Sequence, residues 1–246
     1  MAYHWNWGVF LNPVSTGEPT NYLGWIVSGF EVTIALSMCA AVIALVVGTL
    51  MGVLRTVPNK FLSGFATGYV ALFRNIPLIV QFFIWVWVVP ELLPPGIGMA
   101  VKHMSPVIFA FIASVACLGL FTAARVCEQV RSGLQALPRG QRAAALALGL
   151  TLPQAYRHVL LPTAMRIIVP PLTSEFLNIF KNSAVASTIG LFELSAQARQ
   201  LVDYTAQAYE SFIAVTAAYF LINIVIMFFM RWVEHKARLP GYIGGK

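Results

Sequence analysis

Charge is scarce in this sequence. Lys, Arg, Asp and Glu make up 10% of its 246 residues, against about 25% in an ordinary soluble domain. A water-soluble enzyme, a disordered chain and a nucleic-acid module all need more polar surface than that, so all three are excluded. Cysteine is nearly absent: Cys39, Cys117 and Cys127 form no Cys-x-x-Cys pair and build no disulfide framework. Histidine is sparse too. The nearest two, His103 and His158, are 55 residues apart, outside any metal-ligand spacing. Gly244-Gly245-Lys246 lacks the spacing of a phosphate loop, and no Gly-x-Ser-x-Gly, His-Glu-x-x-His or glycine-rich dinucleotide turn is present. No internal repeat is visible. The chain shows no reaction chemistry of its own.

Apolar residues, in contrast, make up 59% of the chain. Roughly 20 mostly apolar residues cross a bilayer as a helix. Five stretches meet that length: about 26–54, 65–89, 106–127, 167–191 and 211–233. The fourth is the least clean, since it holds Pro170, Pro171, Glu175 and Lys181. Residues 1–25 carry no Lys or Arg and so lack the basic region of a signal peptide. Trp5, Trp7, Phe10, Tyr22 and Trp25 mark this segment as an interfacial aromatic anchor.

Basic residues set the orientation. Twelve lie in 55–60, 125–166 and 231–246, whereas 1–25, 91–105 and 191–210 hold only Lys102 and Arg199. This positive-inside bias puts the N-terminus outside and the C-terminus in the cytosol, as five spans require. The fold class is therefore an all-α integral membrane protein with five transmembrane helices. Residues 26–246 form one membrane domain.

The cytosolic loop 128–166 holds Arg139-Gly140-Gln141-Arg142, an alanine run from Ala143 to Ala147, Gly149, Thr151-Leu152-Pro153 and Leu161-Pro162. Alanine favours helix. Gly149 can end that helix at positive φ, and Thr151 with Pro153 can start another. Pro162 is expected to stop the second helix. Two forms fit: a compact peg projecting from the membrane, or an amphipathic hairpin lying on it.

Ionisable groups inside a span cost at least ~2.5–3.5 kcal/mol at the bilayer centre on insertion scales. At about 100° per residue, Ser174, Glu175, Asn178, Lys181 and Asn182 fall in an arc of about 120°, one polar stripe facing the bundle interior. Pro170-Pro171 is expected to kink or break the span just before it. The stripe reads either as the lining of a path or as helix–helix glue, with Glu175 or Lys181 paired to another span. Glu193, Asp203 and Glu210 read as solvated outer loop charges or as contacts for a docking protein. The aromatic run Phe82–Trp87 reads as lipid-facing bulk, and the three cysteines as small packed apolar residues.

Ala144-Ala145, then Gly149, then Val159 and Leu161-Pro162 resemble the signature loop of permease subunits of ATP-binding-cassette importers. Ala143 stands where that family usually has glutamate, and Val159 where it has isoleucine. Tyr69–Phe82 (YVALFRNIPLIVQF) and Glu175–Ser183 (EFLNIFKNS) resemble the polar-amino-acid importer permeases. End to end, the chain is most similar to the permeases of glutamate/aspartate importers.

The resemblance implies an importer permease fold in a bacterial inner membrane. It implies two cytosolic ATP-binding subunits, a second permease subunit that is homologous or identical, and a periplasmic amino-acid-binding protein, with lipid around the spans and no nucleic acid. No cofactor belongs to this chain, because ATP and Mg sit on the partner ATPases. Arg142, Ala144, Ala145, Gly149, Leu161 and Pro162 would couple to those ATPases. Arg139, Arg142 and Arg157 would meet either ATPase carboxylates or lipid headgroups. Arg74, Asn75 and Pro77 match an Arg-x-x-Pro gate segment, although Arg74 also fits as a residue snorkelling to the cytosolic headgroups. For an acidic amino acid, Lys181 with Asn178 and Asn182 would receive carboxylates and Glu175 the ammonium. Other polar amino acids, such as glutamine, fit the same resemblance. A stand-alone ion-coupled transporter and a membrane scaffold are the other classes.

Overall fold

The computed structural model describes residues 3–237, which are helical almost throughout. In chain order the elements are a 3-10 turn Trp7–Leu11, α1 (Tyr22–Leu54), α2 (Lys60–Asn75), α3 (Leu78–Phe83), a π turn Ile84–Val88, α4 (Val89–Leu92) and α5 (Pro95–Lys102). There follow α6 (Pro106–Gln135), α7 (Arg139–Ala147), α8 (Leu152–Ala155), a π turn Tyr156–Leu160, α9 (Leu161–Asn182), a 3-10 turn Ser183–Ile189, α10 (Leu194–Thr205) and α11 (Ala208–Ala237). The only β pairing among the described residues is the isolated bridge Pro13–Asn21. Lipid offers the backbone no hydrogen bonds, and a helix satisfies its own.

Helices α1, α6 and α11 are long and apolar enough to cross a membrane, and α2 with the run Leu78–Leu92 forms a fourth, bent candidate. The stretch 65–89 is thus not one straight helix. Ile76 is extended (φ −100°, ψ 129°) because the ring of Pro77 disfavours helical backbone before it. Helix α6 continues past Cys127 to Gln135, so the loop between α6 and α9 is shorter than 128–166.

Two proline stops expected from the sequence, a break at Pro170-Pro171 and an end at Pro162, are corrected. Pro170 and Pro171 lie inside α9 without breaking it. The ring imposes the helical φ, and adjacent prolines remove two successive bonds from a single turn. Pro162 does not stop the helix either, since α8, the π turn and α9 follow without a gap. In the π turn, Leu161 N–H reaches back five residues to Tyr156 O. This widened register comes where a proline would otherwise collide with a carbonyl four residues back. The same device recurs before Pro90, where Val89 N–H bonds Ile84 O.

Packing divides the chain into two units. The first comprises the chain to Ala40 with Pro77–Leu118 and Ile179–Ile224. Its centre is the buried carboxylate of Glu193, which caps α10 by accepting from Ser195 N–H and Ala196 N–H (both 2.9 Å) and also takes the hydroxyls of Ser195 (2.7 Å) and Tyr219 (2.6 Å). Thr33 Oγ1 accepts Leu194 N–H at 3.1 Å. Glu210 is buried too, accepting from Tyr3 Oη–H and from Asn6 N–H (2.6 Å). The bond to Glu210 pushes the Tyr3 hydroxyl up to about 12. Glu193 and Glu210 are therefore not solvated loop charges, while Asp203 is exposed. A helix N-terminus is a ready partner for a carboxylate, which draws Glu193 inside. Phe82 is fully buried rather than lipid-facing, and Trp87 is exposed. Trp5 and Trp7 stack on the surface, whereas Tyr22 and Trp25 pack inside.

The second unit comprises Ala41–Ile76, Gly119–Asn178 and the chain from Val225. Gly48 and Gly52 let α1 lie against α6. A Cβ on either would stand 2.6 Å from Val126 or Val130, and within 2.8–2.9 Å of the Ala123 or Cys127 carbonyl. Val70, Ala124 and Cys127 form a buried core flanked by Met51, Tyr69 and Phe73, and the Tyr69 hydroxyl donates to Leu120 O at 2.6 Å. Of the cysteines, Cys117 and Cys127 are buried and Cys39 is exposed.

Candidate functional site

Two features of the second unit are built for work. The first is the hairpin between α6 and α9. Helix α7 starts just after Pro138 and ends through Leu148, with Gly149 at φ +85°. Gly149 N–H donates to Leu146 O (3.0 Å) and Leu150 N–H to Ala145 O (3.2 Å), a left-handed glycine stop that satisfies the last carbonyls. Nothing lies within 4 Å of where a Gly149 Cβ would be, so the glycine is needed for its backbone angle and not for room. Gln154 Oε1 then accepts Thr151 N–H (2.8 Å) and Thr151 Oγ1–H (2.9 Å), starting α8. The turn and cap expected from the sequence are both present.

A tyrosine ties the hairpin to the chain just past α1. The Tyr156 hydroxyl donates to Thr56 O at 2.9 Å. A cavity of about 800 Å³ lies beside α7, lined by Arg55, Leu137, Arg142, Leu146, Tyr156 and Leu160 among others. Ala145 is buried, while Ala144 and Gly149 are exposed and Arg142 is half-buried. Leu148 is 84% exposed, an apolar tip that the described residues leave uncovered. Leu161, half-buried, and Pro162, exposed, sit at the start of α9 rather than on the tip.

The second feature is a cluster of charges on α2, α6 and α9 and at Arg55, just past the end of α1. Glu128 is its hub, taking Arg55 Nη1 on Oε1 and Arg131 Nε (2.9 Å) on Oε2. Arg74, at the end of α2, reaches Oε1 only at 3.5 Å. Arg125, one turn before Glu128, stands 3.9 Å from Glu175 Oε2 and lies over the Phe121 ring at 5.1 Å. Glu175 is buried, and its Oε2 accepts no hydrogen bond. Arg74, Phe121, Arg125, Glu128, Gln129 and Glu175 enclose a cavity of about 290 Å³. Four guanidinium groups face two carboxylates, so the cluster favours an anion.

Sequence reasoning singled out Arg74 and Glu175 but not Arg55, Arg125, Glu128 or Arg131, which the helices bring to them. Glu175 of α9 lies 3.9 Å from Arg125 of α6. The other polar residues of α9 are placed differently: Ser174 and Lys181 are exposed, Asn178 and Asn182 half-buried. Asn75 and Pro77 are exposed on either side of the break after α2.

A family profile described as "binding-protein-dependent transport system inner membrane component" matches residues 44–239. The chain is 64% identical over 247 aligned positions, covering all of both chains, to the glutamate/aspartate import permease protein GltJ of Escherichia coli (strain K12). It is 28% identical to the glutamate/aspartate import permease protein GltK of Escherichia coli O6:H1, covering 87% of this chain and 94% of that one. Among solved structures, a crystal structure of an amino acid ABC transporter with histidines superposes with a TM-score of 0.71 at 30% identity, covering 87% of this chain and 95% of that one.

Proposed function

The chain belongs to the family of binding-protein-dependent transport system inner membrane components, and from that premise we propose a division of labour within an ATP-driven amino-acid importer. It is the membrane-spanning permease subunit, and glutamate and aspartate are its cargo. Full-length 64% identity to a glutamate/aspartate import permease supports that cargo. Two different permeases of Escherichia coli carry the same import name, which favours a second permease that is related rather than identical. Separate cytosolic subunits hydrolyse the ATP, and a periplasmic binding protein delivers the amino acid.

We read five crossings with the N-terminus outside. Helices α1, α6 and α11, the bent pair beginning with α2, and α9 make up that number. Helix α9 has 22 residues and spans about 33 Å at 1.5 Å per residue, enough for a core of about 30 Å. Residues 1–25 form an outer interfacial segment, and 26–246 a single permease domain.

The observation that carries the coupling role is the tip of α7, a glycine-terminated helix whose Leu148 the described residues leave exposed. An ATPase groove that grips this tip better in one conformation than in another can shift the permease equilibrium. Arg142, Ala144, Ala145 and Gly149 shape the tip, and Leu161-Pro162 ties it to α9. Glu175, Asn178, Lys181 and Asn182 mark α9 as the helix that follows the translocation path. Arg74, Asn75 and Pro77 form the gate segment at the break after α2.

Affinity purification of the tagged chain from native membranes tests this reading. An ATP-binding subunit and a second permease should stay bound, and vesicles of the complex should take up labelled glutamate with ATP. A preparation free of any ATPase, even after crosslinking, or uptake driven by an ion gradient alone, would sink it.

A further inference from the structure

The charge cluster leaves an imbalance inside one cavity. Both oxygens of Glu128 are occupied, by Arg55 and by Arg131. Arg125 makes no hydrogen bond to any described residue; its nearest carboxylate oxygen is 3.9 Å away, and its side chain is 42% exposed. Arg74 is 54% exposed and 3.5 Å from an oxygen already held by Arg55. Across the same space, Glu175 Oε2 is buried without a donor. Two guanidinium groups short of acceptors thus face one carboxylate oxygen short of a donor, within about 290 Å³.

A buried carboxylate oxygen with no donor is costly, and the missing donor is a feature of the empty site. A simple anion would engage the arginines and worsen the position of Glu175. A simple cation would do the reverse. An α-amino acid brings both charges on one small body, and the cavity lies at the lower end of the size range of small-molecule sites. The planar guanidinium of Arg125, held over Phe121, suits a carboxylate in two-point contact.

We propose that the cavity bounded by Arg74, Arg125 and Glu175 binds the zwitterionic acidic amino acid in transit, Arg125 and Arg74 receiving its carboxylates and Glu175 Oε2 its ammonium. This rests on the importer reading above and gives the translocation path a specific station. Arg125 is then a substrate-binding residue on a helix that the polar stripe of α9 does not reveal.

The test uses the purified permease–ATPase complex in nanodiscs, without the binding protein, and follows thermal unfolding while L-glutamate is titrated. L-glutamate should raise the unfolding temperature saturably, and glutarate, which lacks the ammonium, should bind at least tenfold more weakly. Arg125→Gln should weaken L-glutamate binding by about tenfold to a hundredfold, the range for a lost charge-assisted bond. The double variant Arg125→Glu/Glu175→Arg keeps an internal ion pair while reversing the site. It should assemble with the ATPase yet fail to bind L-glutamate.

No shift in the wild type, equal affinity for glutarate, or wild-type affinity in either variant would overturn the proposal. The glutarate comparison needs no substitution, so it decides the matter even where a variant does not assemble. Uptake of labelled glutamate by the wild-type complex with its binding protein reads the importer assignment separately. Normal uptake alongside unaltered binding in Arg125→Gln removes the cavity and leaves the importer. A wild type that imports neither glutamate nor aspartate removes both.

Discussion

The hairpin from Arg139 to Leu160 is built from neighbours. Its stop, its turn and its cap lie within Ala145–Gln154, and each is a short-range bond between residues at most five apart. The charge cluster is built the other way, from Arg74, Arg125, Glu128, Arg131 and Glu175 on three separate helices and Arg55 just past the end of a fourth. Backbone angles hold the first together, and partly buried charges hold the second. A local device fails locally when one residue changes. A convergent one fails as a unit, because removing one charge strands the others in a low-dielectric surrounding.

The largest effect is therefore expected at Glu128, the hub. Glu128→Gln leaves Arg55 and Arg131 without their anion, and breaking a partly buried network in this way costs about 1–3 kcal/mol, between the exposed and the fully buried cases. Protein level in the membrane should fall sharply, and the unfolding temperature of the purified complex with it. Arg55→Gln in the same chain should recover part of the loss, because contacting residues couple by roughly 0.5–3 kcal/mol. Additive losses in the double variant would mean that the cluster is not a unit, and the contrast with the hairpin would dissolve.

Gly149 comes next and probes the other side. Its φ of +85° costs an ordinary L-residue about 1–2 kcal/mol, and the open space around it adds no clash. Gly149→Val should lower ATP-driven uptake by about tenfold or more, on the strength of that strain and the displaced α7 tip. Gly149→Asn, which tolerates the left-handed region, should keep most activity. Membrane insertion, read by immunoblot, should be normal in both. Equal loss in the two variants would show that the ATPase groove rejects any side chain there, and that backbone angle is not the reason for glycine.

How much was legible in the sequence follows the same division. The positive φ of Gly149, a helix start at Thr151 and the long apolar helices α1, α6 and α11 were readable, because residue types a few positions apart dictate them. The break at Ile76-Pro77 was missed within 65–89, since hydropathy averages over the residue that a proline pushes out of helix. Pro162 as a stop, and a break at Pro170-Pro171, were misjudged in the opposite sense. A π turn, or an already helical φ, lets a helix absorb a proline that local rules treat as a stop. Glu175 stood out as a charge in an apolar span, but nothing near it in the sequence names Arg125 as its neighbour. Glu193 and Glu210 looked solvated because a cap and a tyrosine hydroxyl are tertiary partners, invisible to composition.

The smallest effect should be at Thr151. An N-cap lost to alanine costs about 1 kcal/mol in a helix that stands alone. Helix α8 has only four residues, yet it runs straight into the π turn and α9, and Tyr156 pins that run to Thr56. The strand of helix below the turn is thus held from its far end, and the cap adds order only to the first residues. Thr151→Ala should raise hydrogen exchange across Leu152–Ala155 while changing uptake by less than about twofold, well short of the fivefold that a full 1 kcal/mol implies. A larger loss of uptake would place the cap in the working contact, and the hairpin would then depend on its turn as a unit, much as the charge cluster depends on Glu128.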